Sequence, residues 1–79
     1  MPYIKKQERE ELNKGVGPRT EGELNYLITK IVRAYLGSDY NYAELNSIIG
    51  VLESSKLELY RRMVVPHEEE RKNLNGDLY

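Results

Sequence analysis

YAELNSIIGVLESSKLELYRRMVV, residues 42–65, is the stretch that decides how this chain is read. Leu45, Ile48, Ile49, Leu52, Leu59, Tyr60 and Met63 recur at three- and four-residue steps, which puts them on one stripe of a helix. The spacing predicts a single helix over 42–65, roughly 24 residues and about 36 Å long at the usual rise. Where the stripe should continue, the chain writes Ser55 and Lys56 instead. Lys56 is therefore expected on the core-facing side, and leaving an ammonium buried and unpaired there would be costly. It must meet Glu53 or Glu23, take a bound anion, or reach out to the helix edge.

The helix is expected to stop at Val65, because Pro66 disfavours helical geometry in the residue before it. Beyond it, residues 66–79 form a tail in which 67–72 make a further helical turn and Asn75-Gly76-Asp77 marks a turn. Leu78 and Tyr79 end the tail with apolar surface, which predicts that it docks, with Tyr3 and Ile4 as partners. Upstream lies the clearest helical pattern in the chain. Thr20 and Glu23 form a capping box, Leu24, Leu27, Ile28, Ile31, Val32, Tyr35 and Leu36 keep helical spacing, and Gly37 ends the run. Residues 20–37 are thus a helix. Asn41 and Glu44 repeat the capping signature before the long helix, and two helices joined so briefly are expected to pack antiparallel as a hairpin.

Residues 1–19 are an N-terminal arm, with a short charged helix over 5–13 anchored by Leu12 and with Tyr3 and Ile4 docking onto the main body. Gly15, Gly17 and Pro18 punctuate it, and GVGP lacks the lysine and hydroxyl of a phosphate-binding loop. The fold class is all-α in one domain.

At 79 residues a single core gives marginal stability, and the absence of cysteine rules out disulfides and thiolate zinc sites. Self-association is the remaining support, so a symmetric helical homo-oligomer is expected. Twelve basic residues interspersed with thirteen acidic ones leave no carboxylate-free basic stripe, which argues against a double-stranded nucleic-acid reader and a membrane-surface helix. No run approaches the ~18 apolar residues of a membrane span, the first ten residues lack the apolar region of a signal peptide, and a cytosolic setting is expected. Seven tyrosines stand without Phe or Trp. Tyrosine suits half-buried subunit interfaces and the stacking of planar ligands.

The chemistry-bearing residues are few. One histidine, His67, sits in a charged run, no acyl-transfer triad has its parts, and Glu68, Glu69 and Glu70 are consecutive and so cannot face one ion from a helix. No catalytic residue, metal ligand or cofactor is assigned. A magnesium-dependent nucleotide pyrophosphohydrolase needs ExxE and ExxD carboxylates from paired helices; Glu8 and Glu11 meet the first spacing and nothing downstream supplies the second. Anion recognition is better equipped. Asn25, Tyr26, Thr29, Lys30 and Arg33 lie off the apolar stripe of the 20–37 helix, and Tyr26, Lys30 and Arg33 follow one another at helical spacing. A ring, an ammonium and a guanidinium in a row can stack a base and neutralise phosphate.

TEGELNYLITKIV, the long-helix stretch just quoted, and the ending NGDLY resemble a family of very short all-helical proteins of phages, prophages and prokaryotic genomes. The run from Ile49-Gly50-Val51-Leu52-Glu53 through Arg61, Arg62, Val64 and Pro66 also resembles the long helix of phage anti-CBASS sponge proteins, in chemistry more than in exact spacing. Those proteins assemble into symmetric oligomers and sequester cyclic oligonucleotide immune signals without cleaving them. The resemblance implies ligand sites between protomers, with tyrosines on bases and Lys, Arg, Thr or Asn on phosphates. The candidate ligand-binding set is Tyr3, Asn25, Tyr26, Thr29, Lys30, Arg33, Lys56, Tyr60 and Arg61. The expected partner is a cyclic di- or trinucleotide held by a homo-oligomer. The competing expectation is a protein-interaction module with no small-molecule ligand.

Overall fold

A computed structural model describes residues 4–78 of the chain. Among them every regular element is helical, in two compact units that divide at Asn41, within the turn expected after the first strong helix.

The first unit holds α1 (Lys6–Asn13) and α2 (Glu21–Leu36), which pack on each other. Glu8 accepts the amide hydrogen of Lys5 at 3.1 Å and so closes the start of α1. Leu12, the anchor expected from the sequence, is 3 % exposed, and Ile4 is buried as expected. Within the arm, Arg9 Nη1 donates to the Ile4 carbonyl at 3.0 Å. Gly15, at φ +104°, takes the chain out of α1 in a conformation that side chains with a Cβ rarely adopt. Thr20 caps α2 by accepting the Glu23 amide at 3.1 Å. At its other end Gly37 has φ +68° and donates to the Arg33 carbonyl at 3.0 Å, the glycine termination expected from sequence.

The second unit is one helical path in three parts: α3 (Tyr42–Leu59), a π-helical segment (Tyr60–Val64) and α4 (Val65–Asn75). The expectation that the helix stops at Val65 is corrected here. Val65 keeps helical dihedrals, φ −60° and ψ −48°, and its amide donates to the carbonyl of Tyr60, five residues back. The π segment adds one residue to a turn, and a widened turn relieves the crowding that a proline ring imposes on the preceding turn. Pro66 then stands at the first positions of α4, where its lack of an amide hydrogen and its fixed φ are best tolerated. Gly76, at φ +87°, ends the helix at the turn foreseen there.

Apolar side chains of this unit remain exposed in the chain. Ile49 is 63 % exposed and Met63 65 %, whereas Ile48 is buried. One further expectation is corrected: the Lys56 side chain is 72 % exposed and does not face a core. Leu78 is 95 % exposed, and Tyr3 and Tyr79, named with it for the docking of the tail, lie outside the described residues. No helix among the described residues is long and apolar enough to cross a membrane.

Candidate functional site

Local sequence fixes the face of α2 that carries the anion-binding candidates. Glu23 and Tyr26 turn toward α1, and the next residues at helical spacing are Lys30 and Arg33, both exposed. Tyr26 is half-buried, and its hydroxyl donates to Asn13 Oδ1 at 3.0 Å, which ties the ring to the end of α1. Asn25 and Thr29 are exposed one residue before Tyr26 and Lys30. Among the described residues neither Lys30 nor Arg33 forms an ion pair. One ammonium and one guanidinium, less than a turn apart, thus face solvent beside a fixed aromatic ring.

The cations of the second unit are placed differently. Lys56 Nζ lies 3.5 Å from Glu53 Oε1, one of the two carboxylates named for it from sequence, and the other, Glu23, is engaged by Arg19. Arg61 and Arg62 both pair with Glu58. Tyr60 donates its hydroxyl to Glu68 Oε1 at 3.5 Å across the π segment. Exposed pairs of this kind are weak and exchangeable, yet each lowers the local positive potential that an anion would meet. Of the nine sequence candidates, the structure brings Asn25, Tyr26, Thr29, Lys30 and Arg33 together on α2, while Lys56, Tyr60 and Arg61 share α3 and the π segment. Tyr3 lies outside the described residues.

The most heavily bonded polar group of the first unit is one that the sequence reading passed over. Arg19, in the loop before α2, holds the Glu23 carboxylate with Nε on Oε1 and Nη2 on Oε2, both at 3.0 Å. Its amide adds a third donor to Oε1 at 2.8 Å, and its Nη1 reaches Glu11 Oε2 at 2.9 Å. The capping box is therefore modified: Thr20 caps α2 as expected, but the Glu23 carboxylate takes the Arg19 amide. Glu23 is 2 % exposed, and the guanidinium and amide of Arg19 hold its carboxyl down at about 2. The same contacts, Glu23 first and Glu11 second, push the Arg19 guanidinium upward. The signal in sequence was the four-residue step from Arg19 to Glu23 across a cap, which is close enough for a bidentate pair.

The Glu8 and Glu11 pair is engaged as well, Glu8 with the Lys5 amide and Glu11 with Arg19. Among the described residues no group of three or more His, Asp or Glu side chains is arranged to hold a metal ion. No curated protein and no solved structure matches the chain. One family profile does match, over residues 1–78, and the chain belongs to that family, described as a domain of unknown function (DUF6899).

Proposed function

We propose that this chain is a non-enzymatic sponge of the anti-CBASS kind, a homo-oligomer in the host cytosol that binds a cyclic di- or trinucleotide and holds it without cleavage. The observation that carries the reading is the α2 row: Tyr26 beside Lys30 and Arg33, with no carboxylate paired to either cation among the described residues. An aromatic face with two free cations is suited to a phosphate-rich planar ligand. The resemblance of the 49–66 run to sponge helices supplies the ligand class. Oligomerisation is supported by apolar exposure: burying a side chain such as Ile49 or Met63 is worth about 1.5–3 kcal/mol each.

Thermal melting against a panel of cyclic di- and trinucleotides, with recovery of the ligand after denaturation, tests this. Binding to the native state stabilises by RT ln(1 + [L]/Kd), about 2.7 kcal/mol at one hundred times Kd, which is several degrees for so small a protein. A shift with intact ligand returned is expected, and no shift across the panel would sink the reading.

A second reading is favoured by a different observation. Ile31 and Tyr35 on α2 are as bare as the apolar residues of α3, and the cations of the second unit are already paired with carboxylates. A protein-interaction module needs only these faces. It predicts that alanine at Lys30 and Arg33 leaves every activity of the protein unchanged.

A further inference from the structure

We infer that the exposed face of α3 pairs with the same face of a second copy of this chain, parallel and in register, as a short two-stranded coiled coil with Lys56 as its one charged layer. This rests on the self-association in the reading above and not on its ligand. Leu45, Ile49, Leu52, Lys56 and Leu59 follow one another at steps of four, three, four and three. That is the a/d pattern of a heptad repeat, with leucine at each of the three d positions and Ile49 and Lys56 at a. All five are exposed, while Ile48, one residue off the seam, is buried. Leucine at d with a β-branched residue at a favours two parallel strands, and one polar a position sets register at a cost in stability.

Charge identifies the occupant as an identical helix. Lys56 carries its own counterion, Glu53, at the e position beside the seam. Parallel pairing in register stacks the two Lys56 layers together with a Glu53 on each flank. An antiparallel or shifted partner would press each ammonium against leucine or isoleucine, where a charge is costly to bury. The break in apolar periodicity at Lys56 is then the layer that fixes the alignment. The seam also has a defined end, since the π segment begins at Tyr60 and its extra residue breaks the heptad winding. From Leu45 to Leu59 it runs roughly 21 Å, short enough that association should depend on protein concentration.

The chain has no cysteine, so a single introduced thiol reports on its own counterpart. Leu52→Cys, at a d layer, is compared with Ser54→Cys on the outer side of the same helix, both in the full chain, alongside sedimentation equilibrium of the unmodified 9.2 kDa chain over a range of concentrations. The expected result is a concentration-dependent dimer in which Leu52→Cys forms the inter-chain disulfide at least ~tenfold faster than Ser54→Cys, because only facing Cβ atoms meet the geometry of the bond. Lys56→Ile should raise the melting temperature and let oligomers of other sizes or alignments appear. A dimer in which both thiols crosslink equally slowly overturns the seam while leaving self-association standing. A monomer at every concentration overturns both. A fast Leu52→Cys crosslink in a protein that no cyclic nucleotide stabilises upholds the seam and sinks only the ligand.

Discussion

Arg19 grips Glu23 along both edges of its carboxylate and adds its own amide to one of them, so a single loop residue supplies three donors to one buried acid. The fourth contact of Arg19, to Glu11, carries the bond across to α1. Helix start and helix packing thus depend on the same guanidinium. Arg19→Lys should fail to replace it, because an ammonium is a point donor that cannot span both carboxylate oxygens. The expected outcome is a lower melting temperature with earliest loss of amide protection in α1, read by hydrogen exchange. Thr20→Ala, which removes only the cap, should cost about 1 kcal/mol and leave α1 protection nearly unchanged.

Acid should act on the same bond. The Glu23 carboxyl sits at about 2, against an ordinary value of 4.5, so folding holds it in the charged form. Its contribution is fully present above the ordinary value and is lost as pH falls from there through about 2. Melting temperatures measured from pH 6 down to 2 should decline through this window. Glu23→Gln should start lower at pH 6 and show a shallower decline, and an unchanged slope would show that other carboxylates dominate.

Pro66→Ala restores an amide hydrogen to the turn that the π segment widens. The five-residue register at Val65 to Tyr60 is then expected to relax toward ordinary four-residue bonds, seen in backbone NMR contacts across residues 60–66. Stability should rise by roughly 1 kcal/mol, well below the ~3 kcal/mol of a proline in an unbroken helix, because the π turn already accommodates the ring. Persistence of the wide turn in the alanine variant would locate its cause in the side chains of Tyr60–Val64.

Lys30→Ala and Arg33→Ala should each weaken nucleotide binding by roughly ten- to a hundredfold, the range of one charge-assisted hydrogen bond, with circular dichroism and melting temperature unchanged. Lys56→Ala and Arg61→Ala should have smaller effects on binding, since their charges are already balanced by Glu53 and Glu58. Equal losses from all four would move the ligand off α2 alone.

The elements that announce themselves locally were legible in the sequence. Thr20, the apolar spacing after it and Gly37 bound α2 within a residue at each end, because caps are local chemistry. Leu12 and Ile4 were readable as anchors because little else in the arm is apolar. The course of the chain past Pro66 was not legible. The rule for the residue before proline is a preference that Val65 overrides by keeping helical dihedrals, while the π turn relieves the separate clash of the ring with the carbonyl of the preceding turn. Lys56 escapes the reading for a related reason: periodicity gives a stripe but not what covers it, and on this stripe Ile48 is buried while Ile49, Lys56 and Met63 are exposed. Of the candidate site, the α2 row was visible as residue types at helical spacing. The absence, among the described residues, of carboxylate partners for Lys30 and Arg33, and the role of Arg19, depended on which acids other side chains had already engaged.

The π segment also separates how long the second unit is from which way its end faces. In an uninterrupted helix, losing one residue swings everything downstream through about 100° and scrambles the surface it presents. Here one residue between Tyr60 and Val64 is surplus to the regular winding. Its deletion would be absorbed by closing the wide turn, so that His67–Lys72 would keep their azimuth and only draw nearer to α3. Residues 60–64 are accordingly the place in the long helix where the chain can change length by one without redrawing its outer face.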